Sequence, residues 1–120
     1  MGFISSLRYA LVGLWYILKS EPNARIHLVT AVAVFTAGLA LGLSNAELAA
    51  IFFAIIIVFL AEIINTAFEK TLDIIDPEYS PQVKLIKDMA AGAVLVASIG
   101  AVIIGVAIFR PYVLGLLWQN

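Results

Sequence analysis

Two long stretches without a formally charged residue constrain this chain more than any other feature of its sequence. One runs from 26 to 46 and the other from 89 to 109, so that each holds 21 residues. An α-helix needs about 20 predominantly apolar residues to cross the hydrocarbon core of a bilayer. Only 12% of all residues are charged and 63% are hydrophobic, whereas a soluble domain carries about 25% charged residues. We therefore predict an all-α integral membrane protein.

A third apolar stretch, 48–61, is cut short by Glu62. Apolar residues continue beyond this acid at helical spacing, so we predict that one helix includes it and ends before Pro77. Ser44 or Asn45 can cap the start of that helix. The predicted spanning helices occupy 26–43, 46–75 and 84–110, within a single membrane-embedded domain that covers 1–120.

The opening segment, 3–20, is too short and too polar to span a bilayer. Its larger apolar residues recur at steps of three and four, which is typical of a helix with one apolar face. We predict that it lies on the membrane surface as an amphipathic helix. A cleaved signal peptide is the alternative, but no small-residue cleavage site follows a compact apolar core.

The basic residues are distributed unevenly between the two sides of the predicted spans. Membrane proteins concentrate Lys and Arg in their cytoplasmic loops. Only Arg110 lies on the opposite side from the others, which are Arg8, Lys19, Arg25, Lys70, Lys84 and Lys87. This distribution predicts a multi-pass protein of the bacterial plasma membrane whose 76–84 loop faces the cytoplasm and its nucleotides.

Polar side chains form a stripe along the second predicted span. Glu62, Asn65, Glu69 and Asp73 fall within about 80° of one another on a helix of 100° per residue. A carboxylate at membrane depth costs about 2.5–3.5 kcal/mol, so such residues usually face a cavity or mark a functional path. The packing alternative is a protonated, hydrogen-bonded Glu62, with Glu69 and Asp73 solvated at a helix end and paired with lysines.

The available side chains favour a hard metal ion over a soft one. The chain has no cysteine and a single histidine, which excludes thiolate sites, and carboxylates suit Mg²⁺. Glu21 and Glu69 fit the role of its ligands. No GxxxxGK[ST] phosphate loop is present, so a nucleotide would depend on carboxylate-bound magnesium and on Lys87. The net charge of −1 provides no basic field for nucleic acid.

Three blocks of sequence resemble the membrane-integral prokaryotic diacylglycerol kinase family, which includes the undecaprenol kinases. They are EPNARIHL at 21–28, EIINTAFE at 62–69 and KDMAAGAVL at 87–95. The resemblance implies a homotrimer of three-span subunits, each with a surface helix, and active sites shared between neighbouring subunits at the cytoplasmic face. Ala24, Phe68 and the 80–83 segment depart from the pattern of the family.

The resemblance also implies a role for each matching residue. Glu62 would be the general base, assisted by Asn65, and Glu21 and Glu69 would bind Mg²⁺. The residues implied near ATP are Tyr9, Glu21, Glu69, Asp73, Glu78, Tyr79, Lys87 and Asp88. Those implied at the lipid entrance are Asn23, Ala24, Arg25, Ile26, His27 and Ala91.

Together these features predict an ATP- and Mg²⁺-dependent kinase of a membrane lipid alcohol. The 23–28 block is closer to the undecaprenol kinases, which ranks undecaprenol ahead of diacylglycerol as the acceptor. A cation- or proton-coupled transporter would also use an acidic stripe, but it leaves Glu21, Lys87 and Asp88 without a role. A scaffold without chemistry would tolerate alanine at Glu21, Glu69 and Asp88 together.

Overall fold

The computed structural model describes residues 2–119, which form four α-helices in this range. They are α1 (Phe3–Ser20), α2 (Pro22–Ala40), α3 (Asn45–Ile75) and α4 (Pro81–Leu117). The last three are long and apolar enough to cross a membrane. The prediction of an all-α chain with three spanning helices is confirmed.

All three spanning helices begin earlier than the sequence pattern suggested, α3 by a single residue; α2 also ends earlier, at Ala40 rather than at 43, and α4 ends later. α2 begins at Pro22 rather than at 26, because proline is well suited to the first position of a helix. α4 begins at Pro81 for the same reason, after Ser80, whose Oγ accepts a hydrogen bond from the Val83 N–H at 3.4 Å. It also continues through Pro111 to Leu117, since neighbouring groups can compensate the missing proline N–H in membrane helices.

A capping box fixes the start of α3 after the short turn from α2. Ser44 Oγ accepts a hydrogen bond from the Glu47 N–H at 3.3 Å, and Glu47 Oε2 accepts one from the Ser44 N–H at 2.8 Å. Gly42 has a φ of 73°, which an L-residue would adopt only with strain. Tyr112 donates a hydrogen bond to Glu47 Oε2 at 2.6 Å. The start of α3 is therefore tied to the final turns of α4.

α3 is the central helix, because it packs against both α2 and α4, which scarcely touch each other. α1 packs on α2. Gly38 permits the close approach of α2, since a Cβ there would lie 3.2 Å from Leu48 Cδ2. Between 51 and 66 the residues that α3 buries recur at steps of three and four; they are Ile51, Ala54, Val58, Glu62 and Thr66, and Leu72 is buried further along. One face thus changes from apolar to polar as it approaches the 76–80 loop.

The outer faces of the helices are apolar and exposed. The accessible surface is 8660 Å², against about 6,300 Å² for a compact soluble protein of 12.9 kDa. Large apolar side chains cover much of this surface; for example, Val96 of α4 is 72% exposed. A surface of this composition requires lipid or other protein around it. The chain is a multi-pass membrane protein.

Candidate active site

Glu62 is a buried carboxylate in the middle of the α2–α3 contact. Its exposed fraction is 4%, and that of Thr66, one turn further along α3, is 3%. His27 of α2 lies opposite, with its Nε2 atom 3.9 Å from Glu62 Oε2. The carboxylate is therefore withdrawn from solvent and faces an imidazole, because the same helical spacing that buries Val58 also turns Glu62 inward.

The next turn of α3 carries the amide and carboxylate that the sequence places on the same stripe. Asn65 Nδ2 donates a hydrogen bond to Glu69 Oε1 at 3.1 Å. The other amide atom, Asn65 Oδ1, is buried and has no hydrogen-bond partner among the described residues. Buried polar atoms of folded proteins are nearly always paired. This oxygen is thus an acceptor available to a ligand that the polypeptide itself does not provide.

Glu21 stands alone between two helices. It is the only residue between α1 and α2, with extended backbone (φ −108°, ψ 111°), as expected immediately before a proline. Its side chain caps neither helix and instead accepts a hydrogen bond from Ser20 Oγ at 3.3 Å. Lys70 Nζ of α3 lies 3.7 Å from Glu21 Oε1. The joint therefore brings Glu21 against α3, beside the residue that follows Glu69.

On the other flank of the stripe, α3 meets the first turns of α4. Lys87 forms an ion pair with Asp73, and its Nζ lies 5.0 Å from the centroid of the Tyr79 ring. Asp88 points along α4 instead and pairs with Lys84. The site thus has a cation at each side, Lys70 near α2 and Lys87 near α4.

The loop between α3 and α4 orients Tyr79. Asp76 accepts hydrogen bonds from the backbone N–H groups of Glu78 and Ser80, each at 3.2 Å. Hydrogen bonding by Ser80, through its side chain and then its N–H, holds the pKa of the Asp76 carboxyl below its usual range. Tyr79 has a φ of 62°, an uncommon conformation for a residue with a side chain. The carboxylate thus stabilises a strained turn that places an aromatic ring beside Lys87.

Several residues implied by the family resemblance lie on the surface of this single chain. Ala24 is fully buried and His27 is partly buried, but the neighbouring side chains of α2 face outward. Tyr9, on α1, is 61% exposed. The exposed members are Tyr9, Asn23, Arg25, Ile26, Asp73, Glu78, Tyr79, Asp88 and Ala91. A single copy of the chain thus brings Glu62, Asn65 and Glu69 together on α3, with Glu21 beside them, and the exposed residues lie around this acidic centre.

The donor atoms at this centre suit a magnesium ion. Within residues 2–119, no three His, Asp or Glu side chains lie close enough to form a metal site by themselves. Mg²⁺ typically uses only one or two protein carboxylates and completes its octahedron with water and phosphate oxygens. Glu21 and Glu69 supply carboxylates, and the unpaired Asn65 Oδ1 adds a neutral oxygen beside Glu69. These residues fit Mg²⁺ bound together with a phosphate ligand.

A groove of about 580 Å³ runs between α2 and α4 along α3. Its lining is almost entirely apolar, including Val34, Val58 and Phe109, and small residues of α4, Ala101 and Gly105, open it. His27 lines it as well, so that the groove and the Glu62 carboxylate meet at this imidazole. The sequence analysis did not predict this groove; the spacing of the small residues on α4 is the signal that could have indicated it.

The sequence is similar to known proteins over most of its length. It matches the model of one family, prokaryotic diacylglycerol kinase, over residues 8–109. A diacylglycerol kinase of Synechocystis is 40% identical over 117 residues, which cover 97% of this chain and 67% of that protein. An undecaprenol kinase of Bacillus subtilis is 39% identical over 109 residues, covering 91% of this chain and 89% of that protein.

Proposed function

This chain belongs to the prokaryotic diacylglycerol kinase family and is a lipid kinase, and we propose that it transfers the γ-phosphoryl group of ATP to undecaprenol. The transfer requires Mg²⁺ and takes place at the cytoplasmic face of the bacterial plasma membrane. Diacylglycerol is the second candidate acceptor. The family membership also removes the reason to consider a transporter or a scaffold without chemistry.

The observation that carries the proposal is the order of groups along α3. Glu62 is buried beside His27, where the apolar groove ends, and Glu69 lies seven residues closer to the polar loop. Seven residues of helix span about 10 Å. That separation suits a reaction whose acceptor stays in the membrane while the triphosphate stays in water.

Glu62 acts as the general base in this proposal. Its carboxylate accepts the proton of the lipid hydroxyl while the hydroxyl oxygen forms a bond to the γ-phosphorus and the bond from that phosphorus to the departing ADP oxygen breaks. His27 faces the carboxylate from the opposite helix, and Asn65 orients Glu69 through its amide. Most of the rate comes from placing the two substrates in line, because phosphoryl transfer depends on positioning and charge stabilisation.

The nucleotide binds around the outer end of the stripe. Glu21 and Glu69, with the Asn65 oxygen, would hold Mg²⁺, which neutralises part of the phosphate charge. Lys87 provides a positive charge for the phosphoryl group, and Tyr79 and Asp73, which contact it, keep it there. The remaining proposed nucleotide contacts are Tyr9, Glu78 and Asp88.

The exposed candidates are explained if the active site lies between subunits. Tyr9, Glu78 and four of the lipid-entrance residues, Asn23, Arg25, Ile26 and Ala91, are exposed in one chain, so a neighbouring copy can complete the pocket with them. We propose a homotrimer, with α1 lying along the membrane surface. The lipid hydroxyl enters past residues 23–27 and Ala91.

The lining of the groove favours a polyprenol over a diacylglycerol. Its polar side chains are confined to His27, Thr30 and Ser98. Diacylglycerol carries two ester groups whose carbonyl oxygens lose hydrogen bonds to water when they enter an apolar site, and each unpaired polar group costs about 1–3 kcal/mol. A polyprenol presents one hydroxyl on a hydrocarbon chain and avoids this cost.

A product assay tests the proposal directly. Purified full-length protein in mixed micelles receives radiolabelled ATP and Mg²⁺ with undecaprenol, diacylglycerol or ceramide at equal mole fractions. We expect the highest kcat/KM with undecaprenol and no product when Mg²⁺ is removed by a chelator. Faster transfer to diacylglycerol would overturn the choice of acceptor, and transfer without any divalent cation would overturn the metal requirement.

A further inference from the structure

Lys70 lies at the active site, yet neither the acidic stripe nor the resemblance gave it a role there. It follows Glu69 on α3 and turns toward the α1–α2 joint, where its Nζ is 3.7 Å from Glu21 Oε1. The Lys70 side chain is 48% exposed, and that of Glu21 is 22% exposed. Lys87 forms the corresponding pair with Asp73 on the α4 side. The outer end of the stripe is therefore flanked by two lysines, each held by a carboxylate.

The negative charges at the site explain why binding of a nucleotide would need a second lysine. A nucleoside triphosphate brings about four negative charges, and it must approach Glu62, Glu69 and Asp73, which repel it. A bound Mg²⁺ offsets part of this charge, and phosphoryl-transfer sites add Lys or Arg for the remainder. Lys84 is engaged with Asp88 on the exposed side of α4. Lys70 is the second lysine at the stripe itself.

Metal binding at Glu21 would release this lysine. A divalent cation bound by Glu21 repels an ammonium group a few ångströms away. Lys70 can respond because its flexible four-carbon stem is half exposed and its headgroup can turn toward solvent. The released headgroup would then be free to contact phosphates that bind together with the metal.

We propose that Lys70 is a phosphate-binding residue of the kinase: it pairs with Glu21 until a metal ion binds that carboxylate, and it then contacts the nucleotide phosphates. This assignment rests on the proposed function, since it requires metal and nucleotide at the stripe. It has two measurable consequences. Lys70 lowers the affinity of Glu21 and its neighbours for a free divalent cation, and it raises the affinity for the metal–nucleotide complex.

Replacement of Lys70 by Gln separates these two effects. Binding of free Mn²⁺, followed by the loss of its electron paramagnetic resonance signal, should become about threefold tighter in K70Q, because an exposed ion pair no longer competes. The KM for Mg²⁺–ATP should rise about tenfold, since a charge-assisted contact to phosphate is lost, with a much smaller change in kcat. Lys70→Arg should restore the KM.

Lys19→Gln is the matched control. Lys19 is exposed, lies two residues before Glu21, and forms no ion pair within the described residues. Its replacement removes the same charge two residues before Glu21 in the sequence without removing an ion pair, so both constants should stay near their wild-type values. Equal changes in K19Q and K70Q would show a general charge effect and overturn the proposal.

The remaining outcomes distinguish an error about Lys70 from an error about the proposed function. If wild-type protein phosphorylates lipid and K70Q retains the wild-type Mn²⁺ affinity or KM, the assignment of Lys70 is wrong while the lipid kinase function stands. If wild-type protein phosphorylates no lipid alcohol, the proposed function fails first. Lys70→Met, which keeps the aliphatic stem, provides the same comparison if K70Q does not assemble.

Discussion

At the scale of single residues, the proposed function depends most on Glu62, which it assigns as the general base. We predict that Glu62→Gln lowers kcat for lipid phosphorylation by at least about 100-fold, the usual contribution of a general base. The amide keeps the size of the side chain but cannot take up the hydroxyl proton. Steady-state assays with undecaprenol and saturating Mg²⁺–ATP measure the change, and the oligomeric state of the variant is checked by light scattering.

Glu47→Gln is the corresponding control on the same helix. Glu47 lies at the opposite end of α3, in the capping box with Ser44, and glutamine also forms capping boxes. We expect its activity to remain near that of the wild type. Retention of activity by E62Q, or an equal loss in both variants, would remove Glu62 as the base.

The residue scale also shows what the sequence can and cannot predict about the site. The stripe itself follows from helical spacing within α3, and the Asn65–Glu69 hydrogen bond lies on it. Contacts between helices do not follow from spacing. The pairs of Glu21 with Lys70 and of Asp73 with Lys87 depend on where the α1–α2 joint and α4 meet α3, which no local pattern specifies.

At the scale of the helices, the Tyr112–Glu47 hydrogen bond joins the start of α3 to the final turns of α4. We predict that Tyr112→Phe lowers the free energy of unfolding by about 1 kcal/mol, the typical net value of one hydrogen bond. Lipid phosphorylation should be unchanged, because this contact lies at the far end of α3 from Glu62. Reversible unfolding in mixed micelles gives the free energy.

Tyr16→Phe provides the comparison for this change, since Tyr16 is 51% exposed on α1. It should leave the free energy of unfolding unaltered. A loss in Y16F equal to that in Y112F would show that the hydroxyl of Tyr112 does not stabilise the helix pair.

The sequence predicted the three spanning helices correctly but predicted their ends less accurately. The apolar content of α2, α3 and α4 predicted three spans because length alone decides that question. The ends depend on local chemistry instead: Pro22 and Pro81 begin helices, while Pro111 fails to end one. The same residue type thus has opposite effects according to its position and to the surroundings of the helix.

At the scale of the whole molecule, the groove between α2 and α4 is open because α4 contributes small residues. We predict that Gly105→Leu fills it and lowers kcat/KM for undecaprenol by about tenfold or more, as expected for an overpacked contact costing 1–3 kcal/mol. The KM for Mg²⁺–ATP should not change, because the groove lies on the lipid side of Glu62. A short prenol, which needs less of the groove, should be affected less.

Gly100→Leu is the control for bulk on the same helix. Beyond the adjoining residues and backbone of its own helix, a Cβ at either glycine meets no atom of residues 2–119 within 4 Å, and of the two glycines Gly105 lines the groove. Both variants are examined for their oligomeric state, so that a disrupted subunit contact is recognised. Equal effects of the two substitutions on undecaprenol, with intact oligomers, would contradict a lipid site in the groove.

The single extended residue between α1 and α2 leaves the chain no slack at that point. The tilt of α1 and the position of the Glu21 carboxylate therefore change together, because α1 rotates relative to α2 about the backbone of Glu21. One extra residue inserted ahead of this joint would change the azimuth of α1 relative to α2 by about 100°. With α1 along the membrane surface, as proposed, the crowding of headgroups around this helix would be coupled to the position of a proposed metal-binding carboxylate.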